Sequence, residues 1–555
     1  MRVLSQESAV EHITSEWSTY PARLRQRFPA LRPWQLTSAA AALLVLFYNH
    51  GFWQAFAAAT GGAAPANAML YLGTFAMLAL VFNAFLSLAA FRYVLKPVLT
   101  ALFFVAAATS YVVDRHGAPV DASALGEAPP WTLALMGALP SLLVWAVTVR
   151  FPSVPRGALV NAGVALASLC AAGALLLALF QTLAPAVRDH REMRLLLTPA
   201  NAVQAGRKYL KQAWARPPVV APLGRDAVKG RLWAGHTRRT VTVVVVGETA
   251  RAANFSLNGY ARDTNPLLAR QAGLVNFSNV RSCGTATAVS VPCVFSGLPR
   301  ADYAKRKARS REGLLDVLGH AGLGVLWRDN NSGCKGVCDR VAYEDLSRPA
   351  AGDPLCDGGE CYDERLLRGL PELIREATRD LVIVLHQKGS HGPAYWKRYP
   401  AGFGRFGPAC ESDRLAACSS AAIVAAYDNS IAYTDFFLNK AIDMLRASAR
   451  DDGVDTALMY FSDHGESLGA ENFYPHGAPY VFSPEKQRHV PFMVWLDDGF
   501  RDRFKVDRRC LEARRDQDFS HDNVFHSLLG MLNLKTVVYN SQLDLFHACM
   551  PARHS

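Results

Sequence analysis

The 555-residue chain is too long for one hydrophobic core, so two domains are the default reading. Half of its residues are hydrophobic and its formal net charge is +12. No nucleic-acid-binding motif accompanies that charge, which argues against a nucleic-acid partner and for an anionic lipid surface.

The hydrophobic residues are unevenly spread. Met1–Pro33 is polar and basic, with Arg23, Arg25, Arg27 and Arg32 ahead of the first apolar run. That run is too long for the core of a cleaved signal peptide. Charge-free stretches of spanning length follow at about Leu36–Ala58, Ala68–Phe91, Pro97–Val113, Trp131–Val149 and Gly157–Leu183, and they predict five transmembrane helices. Arg92 and Lys96 sit between the second and third, and Arg150 and Arg156 between the fourth and fifth. The loop 60–67 is uncharged, and Asp114–Pro130 carries Asp114, Asp121 and Glu127 against Arg115. The positive-inside rule therefore puts the N-terminus in the cytoplasm and, after five crossings, everything beyond about residue 185 outside it.

Between Val187 and Trp233, the cations Arg188, Arg191, Arg194, Arg207, Lys208 and Lys211 alternate with leucines and aromatics. That pattern fits an amphipathic helix on the outer bilayer face and equally a solvated linker helix. Pro217, Pro218 and Pro222 mark a loop before a different kind of sequence begins.

From Thr240 onward apolar strands alternate with helical stretches. Strands are expected at Val241–Val246, Gly324–Trp327, Leu381–Leu385, Ala457–Phe461 and Pro491–Trp495, and helices at Gly313–His320, Glu364–Thr378, Ser419–Ala449 and Asp522–Leu532. This alternation predicts an α/β domain with a mainly parallel central sheet. The expected organisation is a five-helix membrane domain over 1–185, a bridging segment over 186–238 and a catalytic domain over 239–555.

Ten of the eleven cysteines lie after residue 280, and only Cys170 falls in the apolar third. Their spacing suggests the pairs Cys283–Cys293, Cys334–Cys338, Cys356–Cys361 and Cys410–Cys418, leaving Cys510 and Cys549 for each other. Disulfides imply an oxidising compartment, the same side of the membrane that the loop charges indicate.

The run Val241–Val246 ends in Gly247-Glu248-Thr249, and Ala457–Ser462 ends in Asp463-His464, so two strands deliver two carboxylates and an imidazole to one sheet edge. Singly, Glu248 reads as a helix cap and Asp463-His464 as a turn. Together they offer a donor set that zinc accepts, with manganese also compatible. The glycine-preceded turn Gly284-Thr285-Ala286-Thr287 supplies a hydroxyl at the start of a helix running towards Phe295, where an anionic group is favoured. Thr285 is the candidate fourth ligand and nucleophile, with Ser282, Thr287 and Ser290 as competitors.

The strings VVVVGETARAANFSLNGYARDTNP, SCGTATAVSVPCVFSG, RDNNSGCKGVCD, LHQKGSHGPAYWKRYP, SDHGESLG and YPHGAPY stand in this order along the chain. In them the chain resembles the membrane-anchored phosphoethanolamine transferases that modify lipid A or the lipopolysaccharide core. That family includes the colistin-resistance enzymes and belongs to the alkaline phosphatase/sulfatase superfamily. The resemblance implies an alkaline-phosphatase-like fold and one catalytic Zn2+, with a second ion compatible, held by Glu248, Thr285, Asp463 and His464. Thr285 would attack phosphatidylethanolamine, release diacylglycerol and carry phosphoethanolamine to a lipid A or lipopolysaccharide acceptor, conferring polymyxin resistance. Lys335 and His391 would contact the transferred phosphate, His476 would lie near the metal and substrate, and Ser332 would neighbour that site; His386, at the end of its strand, ranks below His391. In the loop between the third and fourth spans Glu127 stands where relatives carry an Asn that seats the headgroup, and its charge would attract an ammonium. The expected setting is the bacterial inner membrane, multi-pass, with a periplasmic catalytic domain, a monomeric chain and membrane lipid as its surroundings.

Two other readings share parts of this pattern: a phosphoglycerol transferase of the same superfamily, and a membrane-anchored binding protein without catalysis. A sulfatase-type hydrolase fits poorly, because the Cys283 segment lacks the Pro and Arg of that nucleophile motif.

Overall fold

In a computed structural model, the described residues are 30–60, 67–116, 128–189, 193–214, 220–349, 352–357, 359–412, 415, 418–469 and 476–551. Glu127, Asp121, Arg191 and the arginines at 23, 25 and 27 lie outside them. The chain forms two compact units, 1–216 and 217–555.

The first unit is helical: α1 (Pro33–Phe47), α2 (His50–Thr60), α3 (Ala68–Leu88), α4 (Leu95–His116), α5 (Leu139–Ala146), α6 (Val154–Asp189) and α7 (Ala200–Trp214). Among the described residues, three helices, within α3, α4 and α6, are long and apolar enough to cross a membrane. The first expected span is interrupted instead. Asn49 donates from Nδ2 to Leu44 O and to Thr198 O, both at 2.9 Å, and this side-chain competition for backbone carbonyls falls where α1 stops. The fourth expected span is an apolar run over Pro130–Ala146 that passes through a π-helical stretch, Leu133–Ala138, before α5. It falls short of the roughly 20 residues that a straight crossing needs.

The apolar helices are tied by buried polar side chains, since apolar surfaces alone do not choose partners among lipid tails. Thr37 donates to Asn83 Oδ1 at 2.7 Å, and Asn83 donates to Ser168 Oγ at 3.1 Å, linking α1, α3 and α6. Asn161 of α6 donates to Ala90 O at 3.1 Å.

The second unit is built on an eight-stranded sheet: β1 (Thr240–Gly247), β2 (Leu274–Arg281), β3 (Gly324–Asp329), β4 (Ala342–Asp345), β5 (Leu381–His386), β6 (Asp455–Ser462), β7 (His489–Leu496) and β8 (Phe519–Ser520). Its order is β8-β2-β7-β6-β1-β5-β3-β4. The block β6-β1-β5-β3-β4 is parallel throughout, whereas β7 runs antiparallel to both of its neighbours. The sheet is therefore mixed, and β7, expected within a parallel alternation, is the strand that makes it so.

Every residue of β1 is buried. Val244 and Val246 pack in one core with Phe295 and Trp327, while Val241, Val243 and Val245 pack in the other with Tyr427 and Phe437. Two-residue alternation thus splits one apolar strand between the two faces of the sheet. Helices α8 (Thr287–Ser296), α9 (Leu314–His320) and α12 (Asp522–Met531) supply the first face, and α10 (Leu370–Glu376) and α11 (Ser420–Asp451) the second. The helix expected over Glu364–Thr378 is divided into a 3-10 turn, Asp363–Leu367, and α10. Gly369 lies between them at φ +68°, a left-handed conformation that no continuous helix contains.

The cysteines of this unit are joined as Cys283–Cys293, Cys334–Cys338, Cys356–Cys361, Cys410–Cys418 and Cys510–Cys549. Cys170 is a free, exposed thiol in α6. The separations run from 4 residues for Cys334–Cys338 to 39 for Cys510–Cys549. Loop-closure entropy makes the long loop worth about 4 kcal/mol and the short one about 2. Replacing Cys510→Ser with Cys549→Ser should therefore lower the urea midpoint of this unit more than Cys334→Ser with Cys338→Ser. Equal shifts would show that strain, not loop length, sets their worth.

Candidate active site

The parallel strands end at one edge of the sheet, and their register decides which side chains meet there. Gly247 pairs with Ser462, so Glu248 and Asp463 emerge side by side from β1 and β6. On the other flank His386 pairs with Asp329, bringing the segments after β5 and β3 to the same edge.

Glu248, Asp463 and His464 are fully buried, and one ligand atom from each lies within 4.8 Å of the others. His464 Nε2 is 3.3 Å from Glu248 Oε1 and 3.5 Å from Asp463 Oδ2. Its Nδ1 donates to Gly465 O at 2.9 Å, because a carbonyl can only accept, and Nε2 is left to face the two carboxylates. Burial alone would raise the Glu248 carboxyl, but the hydrogen bond and charge of His464 hold it well below the usual range. Burial, and then the Glu248 charge, push Asp463 up to about 6. Burial would lower His464, yet the Asp463 charge and the Glu248 hydrogen bond lift it to about 10. The cluster therefore demands positive charge between its carboxylates. Asp463 Oδ2 is buried with no hydrogen-bond partner, as a ligand atom kept for a cation would be. Two carboxylate oxygens and an imidazole nitrogen fit a divalent metal of the zinc type.

Of the four candidate hydroxyls of the 282–290 segment, the one beside the Glu248 carboxylate belongs to Thr287. Its Oγ1 donates to Glu248 Oε2 at 3.0 Å and Oε1 at 3.1 Å, and lies 3.5 Å from His464 Nε2. Thr285, the expected ligand and nucleophile, is buried and donates to Ala478 O at 2.6 Å. The structure thus brings Thr287, and not Thr285, beside the carboxylates. Ala286 is the extended N-cap residue of α8, so Thr285 belongs to the loop and bonds to Ala478, while Thr287 opens the helix and bonds to Glu248. Ser282 donates to Gly284 O, and Ser290 to Asp463 O, which removes both from contention.

The other expected residues surround the cluster. The His476 ring centroid is 4.6 Å from that of His464 and 5.6 Å from that of His391. His476 Nδ1 is 3.4 Å from Glu466 Oε2. Burial, outweighing the Glu248 charge, pushes His391 down to about 4, so it is neutral near pH 7. Lys335 donates from Nζ to Ser332 O at 2.5 Å and Ser332 Oγ at 2.6 Å; burial lowers its pKa against the pull of Asp329, Glu248 and Asp463. His386 is turned inward, with Nδ1 2.9 Å from Asp329 Oδ2, and does not join His391.

Several supporting residues carry no sequence signal of their own. Asn331 donates to Glu248 Oε2 at 2.7 Å and to Gln387 O at 2.8 Å, steering the carboxylate from the β3 side. Thr249 donates to Glu248 Oε1 at 2.5 Å and from its backbone to Asp463 Oδ1 at 3.1 Å. It does so at φ +59°, a strained conformation for a β-branched residue, held by Tyr427 donating to Thr249 O at 2.8 Å. Gly389 leaves room for the Glu248 backbone: a Cβ there would lie 2.5 Å from Glu248 O. His521 donates from Nε2 to Ser462 O at 3.0 Å and accepts from Cys283 N at 3.1 Å, tying the strand end to the threonine turn. The positive φ values of Thr249 and Lys335 appear only in coordinates, and the asparagine and histidine roles depend on partners far away in sequence.

The comparisons with known proteins cover both units of the chain. Residues 240–534 match the Sulfatase family, and residues 78–127 and 130–214 match the family described as Phosphoethanolamine transferase EptA/EptB. The chain is 38% identical over 506 residues to phosphoethanolamine transferase EptA of Escherichia coli K12, covering 87% of this chain and 91% of that protein. It is 38% identical over 434 residues to phosphatidylethanolamine transferase Mcr-1 of Escherichia coli, covering 74% of this chain and 80% of that one. Among solved structures, the integral membrane lipooligosaccharide phosphoethanolamine transferase A of Neisseria meningitidis aligns at TM-score 0.64 and 33% identity, covering 94% of this chain and all of that one. With a catalytic-edge architecture of the sulfatase type and relatives aligned along most of its length, this chain belongs to the phosphoethanolamine transferase family.

Proposed function

We propose that the protein transfers phosphoethanolamine from phosphatidylethanolamine to a phosphate of lipid A or the lipopolysaccharide core, with Thr287 as the nucleophile. The observation that carries this reading is the Thr287 hydroxyl, half-buried at the N-terminus of α8 and 3.0 Å from the carboxylate of a buried metal-type cluster.

Glu248, Asp463 and His464 would hold one Zn2+, which supplies the positive charge that makes a threonine hydroxyl acidic and a phosphoryl group electrophilic. The chain's own residues divide the remaining work. Thr287 Oγ1 forms the new bond to phosphorus, and the bond from phosphorus to the diacylglycerol oxygen breaks. The positive end of the α8 dipole and the Lys335 ammonium balance charge on the phosphoryl oxygens. His391, neutral near pH 7, can accept the proton that Thr287 gives up and return it to the departing diacylglycerol oxygen, and His476 stands beside it. In the second half, an oxygen of the acceptor phosphate attacks the same phosphorus and Thr287 recovers its proton. Ser332 holds the Lys335 ammonium in place.

The same proposal places the protein in the bacterial inner membrane, with 1–185 as a five-crossing membrane domain, 186–238 as its bridge and 239–555 as the periplasmic catalytic domain. Three helices of crossing length, basic loops at Arg92, Lys96, Arg150 and Arg156, and five disulfides beyond residue 280 support this topology. The protein acts in this reading as a monomer, and its activity would confer polymyxin resistance.

Thr287→Ala should abolish transfer, a loss of about a thousandfold or more as for a deleted nucleophile. Thr285→Ala should keep turnover and weaken folding by about 1 kcal/mol, the worth of its lost hydrogen bond to Ala478. Peptide mass mapping of the protein incubated with donor alone should place a phosphoethanolamine increment on Thr287. An increment on Thr285 would return the role to that residue, and a phosphoglycerol-sized one would change the donor. Exhaustive chelation should stop transfer and lower the melting temperature, with both restored by zinc, because the carboxylates are left facing each other. Unchanged activity in a metal-free preparation would overturn the metal assignment.

A further inference from the structure

We propose that a cationic cavity adjoining the active site binds a second anionic group of the acceptor lipid. The inference rests on the transfer reading above and adds a recognition site to it. The cavity, of about 470 Å3, is lined by Pro292, Phe295, Arg309, Arg311, Lys335 and Asp339, among others. Lys335 joins it to the catalytic edge: it lines the cavity and donates to Ser332, whose neighbour Asn331 donates to Glu248 Oε2 at 2.7 Å.

The lining also draws on a basic segment of the chain. Lys305–Arg309 is a short helix of sequence KRKAR, and Arg311 follows at once. The neighbouring carboxylates are engaged elsewhere. Glu312 accepts from Leu223 N at 2.9 Å and from His320, and Asp316 grips Arg340 through two contacts of 2.7 Å. Arg340 is thus neutralised, and Asp339 alone among the lining residues opposes the charges of Arg309, Arg311 and Lys335. Arg311 lines the cavity and is anchored there by donating from Nη2 to Ser296 O at 3.0 Å. A guanidinium held in this way offers a phosphate or carboxylate oxygen a planar, charge-assisted partner.

Helix α8 fixes how far this site lies from the chemistry. Thr287 opens the helix, and Pro292, Phe295 and Ser296 near its other end line the cavity. At a rise of 1.5 Å per residue the two are separated by about 8–14 Å along the axis. A ligand seated in both places must carry two anionic groups that far apart. A bis-phosphorylated glycolipid does so within one molecule, whereas a single-headgroup phospholipid does not.

The test uses the full chain in neutral detergent and measures equilibrium binding of lipid A carrying two phosphates and of lipid A carrying one. The two-phosphate lipid should bind about tenfold more tightly, the worth of one charge-assisted contact. Arg309→Gln and Arg311→Gln should each remove most of that preference, while Arg450→Gln, which deletes a cation on the exposed end of α11, should leave it intact. Arg309 is exposed, so its variant decides the matter if Arg311→Gln fails to fold. A preference that survives both substitutions, or an equal loss for both lipids, would overturn the proposal. So would a preference that tracks added phosphatidylglycerol, since the anion bound would then belong to the bilayer. Transfer rates taken in parallel separate the two levels. Transfer without a binding preference defeats the cavity alone, and a preference without transfer defeats the functional reading and leaves the cavity.

Discussion

The pairing of Gly247 with Ser462 is the contact on which the catalytic unit depends. It commits two buried carboxylates, Glu248 and Asp463, to neighbouring strand ends where no water screens them. Such a pair is unfavourable unless positive charge lies between them. His464 is the one positive charge that the neighbouring sequence supplies, and it lies within 3.5 Å of both carboxylates. A metal of charge two resolves the conflict more completely. The sheet makes the arrangement affordable: β1 and β6 are buried along their whole length, and their eight-residue register cannot slip without exposing valines on both faces.

Around that pair, the structure spends local strain to fix direction. Thr249 adopts a left-handed backbone so that its hydroxyl and its N–H reach Glu248 and Asp463 respectively. Asn331 reaches Glu248 from the far side, and its own loop is anchored by Asp329, which accepts from Asn331 N at 2.9 Å and Gly333 N at 3.1 Å. Asp329 is pulled down to about 2: burial opposes this, but hydrogen bonds from His386 and Trp327 prevail. His386 thus acts one layer below the reacting atoms, as a support for the loop that carries Asn331, Ser332 and Lys335.

How much of this was legible in the sequence depends on whether a residue's role is local. The strands β1, β3, β5, β6 and β7 were visible because unbroken β-branched and aromatic runs leave few alternatives. β2 was not, since Asn276, Ser278 and Asn279 interrupt its apolar residues on a half-covered part of the sheet. β4 and β8 are short and polar, and only their neighbours make them strands. Glu248, Asp463 and His464 could be identified because each follows a recognisable strand directly. The choice between Thr285 and Thr287 could not be made that way. Both stand in the same turn with the same chemistry, and the choice between them is made by Ala286, whose extended backbone ends the loop and starts α8. Membrane spans obeyed the same division: α3, α4 and α6 follow from composition alone, whereas the break at Asn49 depends on Thr198, far along the chain.

Helix α8 deserves its central place because it couples these features mechanically. The Cys283–Cys293 disulfide straps the loop before it to its seventh residue, and Ser290 donates to Asp463 O at 2.5 Å from its first turns. His521 fastens the same loop to Ser462. The Thr287 end is therefore fixed to the end of β6 by two of these attachments, Ser290 and His521, and braced by the disulfide, so its hydroxyl is located by the same strand that locates Asp463. The opposite end packs Phe295 against Trp327, whose indole N–H donates to Asp329. One ten-residue helix thus ties the Thr287 hydroxyl, the strand end bearing two metal-type ligands and the loop bearing Lys335 into a single frame. Pre-positioning of this kind reduces the motion that phosphoryl transfer must otherwise wait for, since catalysis of that reaction is almost entirely placement and charge.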